Sequence, residues 1–355
     1  MSYEAMKKYG LTVSMYNEAL QHDGLHIGRV LSQSKDVYRV ITESGEFFAV
    51  VSGKYRFQAL TISDYPAVGD FVLLDRAHGS AGNGIIHHLL TRKSAFIRKA
   101  AGKANDEQVV ATNVDTTFIC MSVNNDFNLR RLERYLVLVW ESGATPVVVL
   151  TKVDLCEDIH SKFRAVDAIG NGVDILGVSA VTNEGFDDVM SYITPGTTVA
   201  LLGSSGVGKS TLINWLTGQD KLETREIRND DKGRHTTTHR ELVMLPSGGM
   251  VIDTPGMREI GMWDAQEGLD MAFHDVEVFT SRCRFRDCTH TNEPGCAVYE
   301  AIRDGELSEK RWASYLKLKA EDDYMENKAD YLKSKNEKFK AIAKFSKSIQ
   351  HKQKR

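Results

Sequence analysis

The sequence has no apolar run of about 18 residues or more, the length that a membrane span requires. Its N-terminal stretch, "MSYEAMKKYGLTVSMYNEAL", lacks the continuous apolar core of a signal peptide. Cysteine is scarce, and three of the five cysteines lie within Cys283–Cys296, which does not resemble a secreted disulfide framework. We therefore expect a cytoplasmic protein that has no contact with a membrane.

A strong overall charge is also absent, because the formal net charge is -3, and this does not mark a general polyanion binder. Basic residues are nevertheless concentrated in two segments. Residues 91–103 contain five basic and no acidic residues, and residues 331–355 contain nine Lys or Arg against one Glu. Both segments could contact phosphate groups, although a solvated linker and a solvated tail would have the same composition.

The length of 355 residues indicates two or three domains. After an N-terminal extension (1–23), short β-type runs such as "HIGRVL", "VYRVI" and "FFAVV" alternate with turn signals. About five strands in residues 24–92 predict a small barrel of the oligonucleotide-binding (OB) type that binds RNA. An SH3-like barrel, or a barrel that serves only as a scaffold, is the alternative. We interpret residues 93–112 as a linker.

Apolar strands and helical patterns then alternate, as in "TTFICMSV", "NLRRLERYLVLVWESG" and "PVVVL". This alternation predicts an α/β domain with a parallel sheet over residues 113–273. The remaining residues, 274–355, contain the cysteine cluster and a long, increasingly basic helical pattern, and we interpret them as a zinc-binding module with basic C-terminal helices.

The stretch "GSSGVGKS" matches the phosphate-loop pattern G-x-x-x-x-G-K-[ST], with a strand pattern before it and a helix pattern after it. Its backbone N–H groups would surround the α- and β-phosphates, Lys209 would reach the β- and γ-phosphates, and the Ser210 hydroxyl would bind Mg²⁺. The residues predicted to bind the nucleotide here are Gly203, Ser204, Ser205, Gly206, Val207, Gly208, Lys209, Ser210 and Thr211.

Two later segments have the features of nucleotide-dependent switches. "DTPG" ends the apolar strand "GMVID", where Asp253 would hold Mg²⁺ through water and Gly256 would face the γ-phosphate. Between this motif and the phosphate loop, "GRHTTTHREL" offers three threonine hydroxyls for the Mg²⁺ shell. We predict Thr237 and Thr238 as the candidates.

A guanine-reading motif precedes the phosphate loop. Thr151, Lys152 and Asp154 form "TKVD" after the strand "PVVVL", and Ser179 and Ala180 end the next strand. Asp154 would accept hydrogen bonds from the N1–H and N2 amino groups of guanine, and the Lys152 stem would pack over the base. Threonine occupies the position where asparagine is more usual.

Cys283, Cys288, His290 and Cys296 provide three thiolates and one imidazole within a short segment. Such a set closes a tetrahedron around a structural Zn²⁺ and leaves no open position for catalysis. Three arginines, at positions 282, 284 and 286, alternate with this cluster and could contact RNA phosphates.

The order of the motifs is a circular permutation of the Ras-like order, because the base-reading motif and Ser-Ala come before the phosphate loop. This order resembles the RsgA (YjeQ/YloQ) family of circularly permuted, ribosome-associated GTPases, which mature the small ribosomal subunit. The resemblance extends over nearly the whole chain and includes "QVVATNVD" (108–115), "KGRHTTTH" and the cysteine cluster.

The resemblance implies a GTPase that binds the small ribosomal subunit and its rRNA as a monomer, uses Mg²⁺ with GTP, and acts as a late assembly checkpoint. Ras-type enzymes have a water-orienting glutamine at the position of Met257. The resemblance points instead to His235 as the catalytic residue. The alternatives are an RNA-binding adaptor with little or no hydrolysis and an ATP-using phosphoryl-transfer enzyme.

Overall fold

The computed structural model describes residues 2–79, 82–99, 107–124, 126–218, 240–253, 265–291 and 293–323, and the backbone alone at positions 99, 107 and 253. Among the helices in these ranges, none is long and apolar enough to cross a membrane.

The N-terminal half contains a closed five-stranded barrel. Its strands are β1 (His26–Ser34), β2 (Val37–Thr42), β3 (Gly45–Val51), β4 (Phe71–Leu74) and β5 (Gly84–Leu89). The strand order is β1-β2-β3-β5-β4, and β4 returns to pair with β1. The β3–β5 pairing is parallel and the other barrel pairings are antiparallel. The predicted barrel is therefore present, with a short helix, α3 (Gly53–Gln58), between β3 and β4.

The predicted N-terminal extension packs on the barrel as two helices, α1 (Tyr3–Lys7) and α2 (Val13–Ala19). The side chains of Ser2 and Thr12 cap their N-termini by accepting hydrogen bonds from the backbone. Met6 and Met15 on these helices are buried against the barrel. The segment therefore covers part of the barrel core.

The predicted linker contains an antiparallel pair of strands, β6 (Ala95–Lys99) and β7 (Glu107–Thr112). Close by, the buried Arg29 of β1 donates hydrogen bonds to the carbonyls of Gly69 (3.1 Å), Tyr9 (2.5 Å) and Asn113 (3.3 Å). Desolvation lowers the pKa of Arg29 to about 10, so the guanidinium stays charged at neutral pH. One side chain thus joins the N-terminal helices, the barrel and the chain entering the next domain.

The second domain is built on a mostly parallel sheet. Its strands are β8 (Thr116–Ser122), β9 (Thr145–Thr151), β10 (Ile175–Val178), β11 (Thr198–Leu202), β12 (Glu241–Met244) and β13 (Met250–Asp253). The spatial order is β10-β9-β8-β11-β13-β12, and β12 alone in this order is antiparallel to its neighbour. The sheet order is that of a Ras-like domain, while the chain enters it at β8.

Helices cover both faces of this sheet. They are α4 (Leu129–Glu141), α5 (Ile159–Gly170), α6 (Phe186–Ser191) and α7 (Lys209–Thr217). Alternate residues of β8 point to opposite faces: Ile119 packs in the core with α4 and α5, and Phe118 packs in the core with α6 and α7. The helix over residues 159–170 was not among the elements predicted from the sequence.

The C-terminal part is helical around the cysteine cluster. It contains α8 (Gln266–Ala272), α9 (His274–Thr280), α10 (Ala297–Arg303) and a helix over residues 309–323, here α11. These helices pack against α4 in the same core as the sheet. The basic segment 331–355 lies outside the described residues.

A buried ion pair joins α4 to α11. The side chain of Glu133 is fully buried, and its Oε1 accepts from Nη1 of Arg311 at 2.9 Å and from Nη1 of Arg130 at 2.5 Å. Its Oε2 accepts from the Ser314 hydroxyl at 2.5 Å. Arg311 also pairs with Asp275 of α9 at 2.7 Å. Three helices thus meet at one charged network.

We expect Glu133→Gln to lower the free energy of unfolding by about 3 kcal/mol, because Arg311 would lose its buried anionic partner. Urea denaturation followed by circular dichroism measures this change. Arg134→Ala is the matched control: it removes the partly exposed Arg134–Glu321 pair on the same two helices, which should contribute at most about 1 kcal/mol. Equal losses in the two variants would contradict the prediction.

Candidate functional site

The phosphate-loop sequence connects β11 to α7, at the carboxyl end of a central parallel strand. Gly203 has a φ of 149°, and a Cβ at this position would lie 2.3 Å from the carbonyl oxygen of Cys120 on β8. Gly208 has a φ of 96° where α7 begins. Only glycine allows the loop to turn this closely over the sheet.

Lys209 lies over this loop. Its ammonium donates hydrogen bonds to the carbonyl oxygens of Gly203 (2.6 Å) and Ser204 (2.5 Å). Ser210 and Thr211 follow in the first turn of α7, and the Ser210 residue is exposed. The predicted cation and hydroxyl are therefore at the mouth of one loop.

The guanine-motif residues at the end of β9 contact the phosphate loop directly. The buried Thr151 hydroxyl donates to the carbonyl of Val207 at 2.6 Å. The Lys152 ammonium donates to the carbonyl of Gly206 at 2.9 Å. Lys152 itself has a left-handed backbone, with a φ of 59°. Threonine in place of asparagine thus still joins the base-reading segment to the loop.

The two base-reading segments, "TKVD" and Ser179-Ala180, are joined by a side-chain hydrogen bond. Ser179 donates from Oγ to Oδ1 of Asp154 at 2.6 Å, and Ser179 Oγ accepts from the backbone N–H groups of Val181 and Thr182 at 3.2 Å. Asp154 and Ala180 are exposed, whereas Ser179 is buried. This leaves the Asp154 carboxylate open to a base.

The predicted switch residues are only partly visible. Asp253 ends β13, which runs parallel to β11 as its neighbour, so its backbone lies at the same edge of the sheet as the phosphate loop. The predicted residues His235, Thr237, Thr238 and Gly256 lie outside the described residues.

Sequence reasoning missed Arg131, which also reaches the phosphate loop. Its Nη1 donates to Oδ1 of Asp126 at 2.6 Å and also to the hydroxyl of Ser204. Asp126 and Arg131 belong to no motif, and "NNDFNLRRL" reads only as a helix start. The contact arises because α4 follows β8, which is the neighbour of β11 in the sheet.

The cysteine cluster forms a compact set of ligand atoms. One atom from each of Cys283, Cys288, His290 and Cys296 lies within 4.8 Å of every other. His290 Nδ1 is 3.4 Å from Cys283 Sγ and 3.6 Å from Cys296 Sγ. A tetrahedral zinc with ordinary bond lengths gives S–N separations of about 3.5 Å. The donor set and its spacing therefore fit a structural Zn²⁺.

The cluster is packed against α11. The His290 ring meets Trp312 edge-on, with ring centroids 5.3 Å apart, and Trp312 stacks on Tyr315. Trp312 follows Arg311, the partner of the buried Glu133. The metal site and the buried ion pair thus contact neighbouring residues of α11, Trp312 and Arg311.

Together, the fold and the site define a circularly permuted P-loop GTPase with an N-terminal OB-type barrel and a C-terminal Cys₃His module. A family model described as RsgA GTPase matches residues 89–263. The chain belongs to the RsgA GTPase family, as the similarity to its relatives shows.

The relatives match over most of their lengths. "Small ribosomal subunit biogenesis GTPase RsgA 2" of Lactiplantibacillus plantarum is 48% identical over 318 residues, 89% of each chain. "Small ribosomal subunit biogenesis GTPase RsgA 1" of Listeria innocua is 44% identical over 342 residues, 96% of each chain.

Two solved structures are also similar. The crystal structure of YjeQ from Thermotoga maritima matches with a TM-score of 0.61 and 29% identity, covering 83% of this chain and 97% of that one. The structure of YloQ, described as a circularly permuted GTPase, matches with a TM-score of 0.59 and 27% identity, covering 87% and 97%. The resemblance drawn from the motif order is confirmed, and the adaptor and ATP-using alternatives are not favoured.

Proposed function

We propose that this GTPase binds the small ribosomal subunit in the cytoplasm, as a monomer, and acts there as a late maturation checkpoint. The observation that carries the guanine assignment is the contact of Thr151 and Lys152 with the phosphate loop, which joins base reading and phosphate binding in one site. The subunit assignment is supported by the relatives, which are named small ribosomal subunit biogenesis GTPases.

The proposed roles follow the contacts of the loop. When nucleotide enters, the Lys209 ammonium exchanges its two carbonyl partners for β- and γ-phosphate oxygens. The Ser210 hydroxyl and Asp253 would hold Mg²⁺, which would neutralise charge on the phosphates. Asp154 would accept from the guanine N1–H and N2 groups, and the backbone N–H of Ala180 would donate to O6.

The proposed catalytic residue is His235, which would orient the attacking water, because Met257 cannot do so. Thr237 or Thr238 would complete the Mg²⁺ shell. All four positions lie outside the described residues, and the proposal for them is supported by the family to which the chain belongs.

The proposed RNA contacts lie on the barrel and on the zinc module. Arg282, Arg284 and Arg286 are all exposed beside the cysteine cluster, where they are available to phosphate groups. Since 26 residues separate the "DTPG" switch from Cys283, a change at the γ-phosphate would bias the position of the module.

GTP turnover measured with and without purified small subunits tests the proposal. We expect slow turnover by the protein alone and a large stimulation by subunits. Lys209→Ala should abolish the stimulated rate, which controls for contaminating hydrolases. Turnover that subunits do not change would contradict the ribosomal part of the proposal.

A further inference from the structure

Arg131, in the first turn of α4, contacts the phosphate loop. Its guanidinium bridges two groups: the Asp126 carboxylate, at 2.6 Å, and the hydroxyl of Ser204, the first variable residue of the loop. Lys209 contacts the carbonyl oxygen of the same Ser204. The backbone and the side chain of one loop residue are therefore held by two different cations.

We propose that Arg131 is a positioning residue of the phosphate loop, acting through the Ser204 hydroxyl. The proposal rests on the assignment of residues 203–210 to nucleotide phosphates. Nucleotide binding takes Lys209 away from the carbonyl oxygens of Gly203 and Ser204. Because Arg131 still holds the Ser204 side chain, the loop keeps the conformation that surrounds the phosphates. Less ordering of the loop is then needed on binding, so the affinity for nucleotide rises.

The guanidinium is itself held in place. Asp126 accepts from the same Nη1 atom that donates to Ser204, and the side chains of Asp126 and Arg131 are both about one-third exposed. The other carboxylate oxygen of Asp126, Oδ2, is buried and has no hydrogen-bond partner within the described part of the chain. Asp126 therefore has a second acceptor atom available to a guanidinium N–H of Arg131.

The helix that carries Arg131 is anchored at its other face. Two residues further along α4, Glu133 is locked in the buried network with Arg311 and Ser314. The C-terminal helices thus hold the backbone from which Arg131 extends. Arg131 can therefore hold Ser204 in a fixed position relative to the sheet.

Binding of a fluorescent GDP analogue by the full chain tests the proposal. We expect Arg131→Ala to raise the Kd about tenfold, the effect of losing one hydrogen bond from a charged donor. Ser204→Ala should raise the Kd similarly, and the double variant should be no weaker than either single variant. Arg131→Lys should recover part of the affinity. Arg134→Ala, which removes an arginine on the same helix that pairs with Glu321, should leave the Kd within about twofold.

Two further measurements separate positioning from a general structural role. The kcat at saturating GTP should stay near the wild-type value, because Arg131 touches none of the reacting groups, and the urea midpoint should also be unchanged. An unchanged Kd in Arg131→Ala, additive losses in the double variant, or a fall in kcat that matches the rise in Kd would each overturn the proposal. Failure of the wild-type chain to bind GDP would instead overturn the nucleotide-site assignment and this inference with it.

Discussion

A Cys296→Ser variant is expected to lose its zinc and most of the fixed structure around the cluster. Cys296 is 1% exposed, and a serine there would replace a thiolate ligand with a hydroxyl in a position that solvent does not reach. Its Sγ also accepts a hydrogen bond from the backbone N–H of Tyr299 at the start of α10, so the residue anchors both a metal ligand set and a helix. A structural zinc contributes on the order of 10 kcal/mol to a small module, more than the local packing can replace.

The loss should spread along α11. His290 would no longer be held by metal, and Trp312, which packs edge-on against its ring, would lose that surface. The helix α7, which follows the phosphate loop, packs on the face of the sheet opposite the module, so GDP binding should persist. We therefore expect one domain to loosen while the other remains able to bind nucleotide.

Zinc content by mass spectrometry and hydrogen exchange of residues 274–323 measure the two effects. Cys156→Ser is the matched control, because Cys156 lies next to the guanine motif and outside the cluster. It should retain one zinc per chain and native exchange. Retention of a full equivalent of zinc by Cys296→Ser would show that Cys296 is not a ligand. Adding a chelator to the wild-type chain should reproduce the loosening without any substitution.

Much of the site could be predicted from sequence because its chemistry is concentrated in short motifs. A phosphate loop needs glycines at fixed spacing, and Gly203 shows why, since any Cβ there would collide with the carbonyl of Cys120. The cysteine cluster is similar: four ligands close in sequence must be close in space. The barrel strands were predictable from alternating apolar residues, although the registers that close β4 onto β1 were not.

What could not be predicted depends on contacts between distant segments. Arg131 reaches Ser204 only because β8 and β11 are neighbours in the sheet, and no local pattern encodes that. An arginine on a strand, such as Arg29, is expected to face solvent. Arg29 is instead buried, and it donates hydrogen bonds to carbonyl groups of three separate segments. Glu133 likewise occurs in an ordinary helical pattern, and its buried role follows from α11, which packs from almost 180 residues away.

Asp154→Asn is expected to change the base preference of the site from guanine to xanthine. The carboxylate of Asp154 offers two acceptors to the N1–H and N2 amino donors of guanine. An asparagine would present one acceptor and one NH₂ donor, so a donor would face the N2 amino group. Loss of two charge-assisted hydrogen bonds should weaken GDP binding by about a hundredfold or more. Xanthine has a carbonyl oxygen at that position and would accept from the new NH₂ group.

The substitution should leave the turn intact. Ser179 donates to Oδ1 of Asp154, and an asparagine Oδ1 can accept the same hydrogen bond. Any loss of guanine affinity then reflects base recognition rather than collapse of the segment. Asp158→Asn is the matched control: Asp158 caps α5 by accepting from the N–H of Ser161 at 3.1 Å, a role that asparagine performs equally well.

Competition of GDP, XDP and ADP against a fluorescent nucleotide decides the outcome. The wild-type chain should prefer GDP, Asp154→Asn should prefer XDP, and Asp158→Asn should behave as the wild-type chain does. Because Thr151 and Lys152 still join the variant motif to the phosphate loop, phosphate binding should survive in Asp154→Asn, and XDP should bind with near-native strength. A variant that lost all three nucleotides equally would show that Asp154 supports the loop and does not read the base.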